Sequence, residues 1–426
     1  MPRSLRDVHC PARANSRRVR RWPTGSAVRV VGAKSRRRPG TGVGQNLQWK
    51  PGDSDDCYEG PTYPMKSPAC LALAWFALVA TGSLVHAGQK DRALDVYWID
   101  SEGGGSTLIV TPNDESVLID TGNPGGRDPA RIVAAVRAAG LTRLDYVLLT
   151  HFHVDHFGGG AEVAQQIPIG MIFQRAIPER DPDGRPNSSF PLLIKPWREI
   201  AAKRAMLAPG GVIPLRAVAG TGAPKLELRC IGADQKFVEP TAAQRKAKNS
   251  LTGSPPAKPV DTSDNANSAV FVLQFGAFRF FDGGDLTWNL EERLVTPYNL
   301  VGVVDVYQTN HHGLAVSNNP VLVQSLEPTV VMMNNGPKKG GEAGTFAAIR
   351  AAAKSVQARY QVHRSFNVPD EENAAAEFVA NHDNLTGADA AKCPANVIKM
   401  SVAPDGKSYT ISIPANGHSR TYRTKG

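Results

Sequence analysis

From residue 91 onward, apolar and polar residues follow one another in short runs punctuated by turn residues. Residues 93–100 (Ala-Leu-Asp-Val-Tyr-Trp-Ile-Asp) alternate, are rich in β-formers and read as a strand. Gly103-Gly104-Gly105 is a turn, and residues 106–111 and 116–120 are two further strands around Pro112-Asn113-Asp114. Three short strands with tight turns predict an antiparallel meander. At residues 129–140 the apolar period lengthens. Ile132, Val133, Val136 and the alanines share one helical face, and Gly140 stops it. Residues 144–150 are a strand of buried character, and residues 161–166 begin a helix.

The middle of the chain is less regular. Asp181-Pro182-Asp183-Gly184-Arg185-Pro186 is a loop, 197–208 reads as a helix stopped by Pro209-Gly210-Gly211, and 225–231 as a strand. Residues 232–266 are rich in Pro, Ser, Lys and Asn without periodicity and read as an exposed insertion, a candidate lid. A second β-rich unit follows, with strands at 268–275, 278–281, 301–307 and 328–333. Helices are expected at 290–294, 346–356 and 374–380, and 397–402 and 408–414 flank a hairpin turn at Pro404-Asp405-Gly406-Lys407. Two successive β-then-α units without close repetition predict an α/β (α+β) chain of two packed sheets with helices outside.

Composition changes this picture chiefly at the N-terminus. The chain has 426 residues, 41% of them hydrophobic, and a net charge of +10. Residues 1–64 hold 13 Lys/Arg against 5 Asp/Glu, so only +2 is left for the remaining 362. The leader reads as disordered. The near-neutral remainder argues against strong duplex nucleic-acid binding, which needs several phosphate contacts. Residues 65–87 run from Met65-Lys66 through an apolar stretch to small residues before Gly88, the pattern of a signal peptide. The apolar run is too short for a stable membrane span. Translation from Met65 and an extracytoplasmic (periplasmic or secreted) protein are therefore expected, with 1–64 upstream sequence and a working domain over 91–420 that ends in a helix/hairpin extension. Of five cysteines, Cys230 and Cys393 would remain, as a disulfide or as two buried thiols.

The candidate chemistry sits after the strand at 144–150. Thr150-His151-Phe152-His153-Val154-Asp155-His156-Phe157-Gly158-Gly159 places three imidazoles and a carboxylate within six residues. His151 and His153, two apart, point to one side of an extended backbone. Such donors suit zinc, with iron or manganese as second choices. Asp120, Asp285 and His311-His312 likewise follow strands. Singly, each reads as a turn carboxylate or a surface pair; together with the motif they point to a metal site.

With Asp120-Thr121-Gly122, His151-x-His153-x-Asp155-His156, Gly284-Asp285 and His311-His312-Gly313, residues 93–335 resemble the metallo-β-lactamase superfamily. They look most like the hydrolase domain of the DNA-uptake protein ComEC and its free-standing secreted relatives. The resemblance implies a four-layer αββα sandwich with a dinuclear site. His151 and His153 would hold the first metal; Asp155, His156 and His311 or His312 the second. Asp285 would bridge them, and Asp120 would orient the motif from behind. No His lies between His156 and His311, where many members have one, so Asn267 or a neighbouring Ser is a substitute ligand for the first metal. Two Zn2+ ions would activate water, with Asp155 orienting or deprotonating it. The expected substrate is a small or single-stranded anionic phosphodiester. A cyclic ester or amide, as for a lactonase or β-lactamase, is the alternative, and a non-catalytic metal-binding module a further one.

Overall fold

The structure is a computed structural model that describes residues 91–251, 255 and 257–425. The basic leader and the signal-like stretch lie outside the described residues. Strands β1 (Leu94–Trp98), β2 (Thr107–Val110) and β3 (Ser116–Ile119) form the expected antiparallel meander. Helix α1 (Arg127–Ala138) then leads to β4 (Leu144–Leu148), parallel to β3. Helices α2 (Val154–Phe157) and α3 (Gly160–Ala164) precede β5 (Ile169–Gln174), and α4 (Phe190–Arg198) precedes β6 (Lys203–Met206), both added in parallel.

The second sheet is built from β7 (Leu226–Ala233), β8 (Lys236–Phe237), β9 (Val270–Phe275) and β10 (Phe278–Asp282), then, after α5 (Trp288–Val295), β11 (Val306–Gln308). Helix α6 (Pro320–Leu326), β12 (Val330–Met333), α7 (Ala343–Ala351), β13 (Ala358–His363) and β14 (Val379–Asn381) complete it. Finally β15 (Ile398–Val402), β16 (Ser408–Ile413) and β17 (His418–Arg423) return to the first sheet, β15 pairing with β1. The nine-stranded order is β17-β16-β15-β1-β2-β3-β4-β5-β6; the eight-stranded order is β14-β13-β12-β11-β10-β9-β7-β8.

The sheets face each other through their apolar sides. Leu94, Val96 and Trp98 of β1 share a buried cluster with Phe271, Leu273 and Phe275 of β9 and Phe278 and Phe280 of β10. Trp98 meets Phe280 edge-on at 5.7 Å and donates its indole N–H to Gln308 Oε1 at 2.6 Å. Burying one such ring is worth about 1.5–3 kcal/mol, against about 1 kcal/mol for the hydrogen bond. The apolar layer therefore holds the sheets together, and the bond sets their register. The Ile132–Val133–Val136 face of α1 covers the outer side of the first sheet, over Leu108, Val110 and Leu118. Leu290, Leu294, Leu322 and Phe346 cover the second, over Phe281, Tyr307 and Val331. The result is the four-layer αββα sandwich.

Several elements differ from expectation. The helix expected at 197–208 lies earlier, at Phe190–Arg198, started by Pro191 in its first turn, and Lys203–Met206 is instead an edge strand. The alanine-rich 374–380 forms a 3-10 turn, Ala376–Phe378, and the strand β14. Pairing with β13 outweighs its helix propensity there. The C-terminal hairpin gains a third strand and joins the first sheet beside β1. Cys230 and Cys393 are separate buried thiols. The described residues between 234 and 263 are mostly exposed, whereas Asp264–Ala266 at the end of the expected insertion are buried. Among the described residues, no helix is long and apolar enough to cross a membrane.

Candidate metal centre

Loops leaving the carboxyl ends of strands in both sheets supply the donors. After β4, His151 and His153 lie in irregular backbone, and α2 carries Asp155 and His156. After β10, Gly284 (φ +55) turns the chain to Asp285, and a Cβ on Gly284 would come within 2.8 Å of Thr150. After β11, His311 and His312 both adopt left-handed backbone, φ 52 and 55. That conformation costs a side-chain-bearing residue roughly 1–2 kcal/mol. It is held by the His311 amide donating to Gly284 O at 2.9 Å and the Gly341 amide to His312 O at 3.1 Å.

These loops bring two donor groups together. Donor atoms of His151, His153 and Asp285 lie within 4.8 Å of one another, and so do those of Asp155, His156, Asp285 and His312. Asp285 belongs to both. Its Oδ2 is 3.8 Å from His151 Nε2, 3.2 Å from His156 Nε2 and 3.5 Å from His311 Nε2, and its Oδ1 is 3.3 Å from His312 Nε2. Both histidines of the His-His pair thus reach Asp285, with His312 in the tighter group.

The donors suit a cation. His151 Nε2, His156 Nε2, Asp285 Oδ1 and both nitrogens of His312 are buried without a hydrogen-bond partner among the described residues. Buried polar atoms left so are rare and call for a partner of another kind. Charge tells the same story. Burial pushes the His151 imidazole well below its ordinary range, helped by His156 and opposed by Asp285. Burial also disfavours charge on His156, but Asp285, Asp155 and Asp120 outweigh it and hold that ring well above its ordinary value. Asp155 and Asp285 stay ionised against burial, Asp155 through His156 and Lys339, Asp285 through His156, His312 and His311. Positive charge is favoured at the point where the carboxylates meet.

A set of carboxylates behind the donors fixes their orientation. Asp120 Oδ2 lies 2.7 Å from His156 Nδ1 and accepts the Thr150 hydroxyl at 2.8 Å, while Oδ1 accepts the Thr150 amide at 2.8 Å. Asp183 lies 2.9 Å and 3.0 Å from His153 Nε2 through its two oxygens, which leaves Nδ1 available. Asp264 accepts the Phe152 amide at 2.6 Å, is clasped by Arg175, and donates its own amide to Asp183 at 2.8 Å. The side chain of Asn267 donates to Asp264 at 2.9 Å and accepts from Gln235 at 3.0 Å, so both its polar atoms are already in use. Its neighbour Asn265 keeps a buried Oδ1 without a hydrogen-bond partner among the described residues.

Two clefts flank the donors. One, about 520 Å³, is lined by Phe152, His153, Asp155, Asp183, Arg185 and Phe190. The other, about 640 Å³, is lined by Glu102, Asn123, Arg127, Lys338 and Lys339. Lys339 pairs with Asp155 and joins the two. The β1–β2 loop closes the floor. A Cβ on Gly105 would come within 2.7 Å of both Asp120 Oδ2 and His156 Nδ1, so a glycine is required. Asp183, inside a loop, gives no signal in the sequence; Lys338-Lys339, between Pro337 and Gly340-Gly341, reads there as a pair that could meet an anionic group or, more often, as a solvated turn.

Residues 100–197 match the family profile described as the Metallo-beta-lactamase superfamily. Over those residues the chain carries that superfamily's signature, a metal-dependent hydrolase fold, as the motifs there imply. It is also similar to the "Competence protein ComA" of Neisseria gonorrhoeae, 25% identical over 265 residues, 62% of this chain and 30% of that protein. The chain thus spans less than a third of the length of that relative. Among solved structures it is similar to CmlA, a diiron β-hydroxylase from Streptomyces venezuelae, at 13% identity and TM-score 0.34, covering 62% of this chain and 49% of that one. It is also similar to MEM-A1, a subclass B3 metallo-beta-lactamase from a soil metagenome library, at 14% identity and TM-score 0.30, covering 51% and 76%.

Proposed function

We propose that this chain is a hydrolase that holds two divalent cations, zinc first, and cleaves a small or single-stranded phosphodiester or related anionic ester. The observation that carries the reading is Asp285, shared by two donor groups in which His151 Nε2, His156 Nε2 and both His312 nitrogens are buried without a hydrogen-bond partner among the described residues. His151, His153 and Asp285 would hold one cation; Asp155, His156, His312 and Asp285 the other, with His311 alongside. An imidazole–carboxylate set without sulfur suits zinc, and iron or manganese next. When bound, such cations bring the pKa of water to about 7 and offset charge on the reacting oxygens.

The chain's own groups do the rest. Asp155, ionised beside His156 and Lys339, accepts a hydrogen bond from the attacking water and orients it. Asp120 and Asp183 hold the imidazoles in place from behind. The Lys339 ammonium, with Lys338 and Arg127 lining the adjoining cleft, receives the anionic group. Leu193, backed by the buried Phe152 and Phe190, offers apolar surface on the other side. That apolar wall also favours the second reading, hydrolysis of a cyclic ester or amide. Residues 65–87 support an extracytoplasmic setting, which N-terminal sequencing of the native protein checks; a start at residue 1 or 2 would sink it.

The test is metal analysis combined with turnover of bis-nitrophenyl phosphate, a lactone and a cephalosporin. Diester turnover that disappears with the bound metal in His151→Ala is the expected result. Lactone or cephalosporin turnover without diester cleavage would replace the substrate reading. Bound metal with no turnover of any substrate would make the chain a binding module.

A further inference from the structure

A second group of metal-ligating side chains lies beneath the loop that follows β1, apart from the donors around Asp285. Asp100 and Glu102 come from that loop, His363 from the end of β13, and Cys393 from the segment that precedes β15. Their donor atoms all fall within 4.8 Å of one another. Asp100 and His363 are fully buried, and Cys393 nearly so.

Three observations set this group apart from an ordinary buried ion pair. First, neither ring nitrogen of His363 makes a hydrogen bond among the described residues, although the ring is 0% exposed. Asp100 Oδ1 is 2.8 Å and Glu102 Oε1 3.8 Å from His363 Nε2, so that nitrogen faces two carboxylates while Nδ1 faces neither. A purely structural imidazole at that depth would be expected to donate or accept. Second, Cys393 Sγ faces Asp100 Oδ2 at 3.6 Å and Asn381 Oδ1 at 3.7 Å and accepts the Ala395 amide at 3.4 Å, with Ala395 in left-handed backbone (φ 54); burial pushes the thiol up, so a bound cation is what would draw off its proton. Third, the charges balance around a dication. Asp100, Glu102 and a Cys393 thiolate bring three negative charges. The Arg131 guanidinium brings one positive charge, 2.7 Å from Asp100 Oδ2 and 3.5 Å from Glu102 Oε1, while Asp100 Oδ1 accepts the Glu102 amide at 2.9 Å and faces His363.

We propose that Asp100, Glu102, His363 and Cys393 form a separate, structural binding site for a divalent cation of the zinc class. A thiolate, an imidazole and carboxylates are the donor types that zinc takes, and one sulfur among them disfavours calcium or magnesium. The site ties β1, β13 and the segment before β15. It also braces the loop whose Gly104 and Gly105 lie against Asp155, Asp120 and His156. The proposal does not depend on the substrate or on hydrolysis.

The experiment uses the full chain with Cys10, Cys57 and Cys70 replaced by Ser, loaded with cobalt(II) in one sample and zinc in another. The donors around Asp285 contain no sulfur, so a thiolate-to-cobalt charge-transfer band reports the new site. The band is expected in this protein and in its His151→Ala derivative, and is expected to vanish in Cys393→Ser together with part of the bound zinc. Absence of the band, or its survival in Cys393→Ser, would overturn the proposal. If Cys393→Ser does not fold, X-ray absorption of the zinc-loaded parent decides. A zinc–sulfur shell at about 2.3 Å supports the site, and a spectrum with only nitrogen and oxygen neighbours refutes it.

Discussion

Asp120 Oδ2 stands 2.7 Å from His156 Nδ1 while the same carboxylate takes both the amide and the hydroxyl of Thr150. One side chain therefore fixes the ring of His156 and the last residue before His151. Its oxygens are committed on the side away from Asp285, so its influence on the donors runs through orientation. Asp120→Asn should weaken metal binding or turnover about 10–100-fold. Chelator competition and kinetics on the purified variant check this; wild-type values for both would show that Asp120 only fills space.

Asp183 should act in the same way on His153 alone. Because His153 belongs to one donor group and not the other, Asp183→Ala is expected to weaken one of two metal-binding steps and leave the second near its original strength. Isothermal titration resolves the steps. Equal weakening of both would mean that the loss spreads through Asp264, whose amide Asp183 also holds.

Gly105→Ala tests the closeness of the β1–β2 loop. The added methyl would meet Asp120 Oδ2 and His156 Nδ1 at 2.7 Å, inside ordinary contact distance for two groups that cannot both retreat. The protein should fold, since the contact is local, yet lose most of its activity. A fully active Gly105→Ala enzyme would show that the loop lies farther from His156.

Lys339 is half-exposed and paired with Asp155. Lys339→Met should raise KM for an anionic diester much more than for a neutral ester, because an exposed point charge contributes chiefly to binding an anion. Equal changes in KM for the two substrates would instead assign Lys339 to holding Asp155.

Asp282, at the end of β10, is buried, and burial pushes its carboxyl from the ordinary 3.8 up to about 7. The folded chain therefore keeps a proton that the unfolded chain releases above about 4. Asp282 leaves stability untouched below that pH. It lowers stability as pH rises toward about 7 and adds no further loss above it. Asp282→Asn, which stays neutral, should gain stability relative to wild type between pH 5 and pH 8. Denaturant titration at the two pH values measures the difference, and a constant difference would remove the buried-proton account.

Much of this site was legible because its donors stand at strand ends within short motifs. His151 to His156 are local, and Asp120, Asp285 and His311-His312 each follow a run of β-formers. The supporting groups were not. Asp183 sits thirty residues beyond His153 in a loop with no period, so only the fold brings it to that ring. Lys339 lies in a Pro/Gly turn that looks like any solvated turn until Gly103 packs against it. Among the strands, β5 is interrupted by Gly170, and β17 is a largely exposed polar edge, so neither shows the alternation that revealed β1 to β3. The alanines at 374–376 advertised a helix, but a neighbouring strand offered ladder hydrogen bonds that no local preference encodes.

The bond between Trp98 and Gln308 joins residues 210 positions apart, and the donors around Asp285 are split between the same two sheets. The cluster cannot exist in either half alone. The chain must close very long loops and mate both apolar faces before any ion finds its full set of ligands, which makes formation of the site a late event in folding. An ion that binds there selects the fully mated state and stabilises it by mass action. Metal supply would then govern how long the molecule survives in a protease-rich medium, as well as how fast it works.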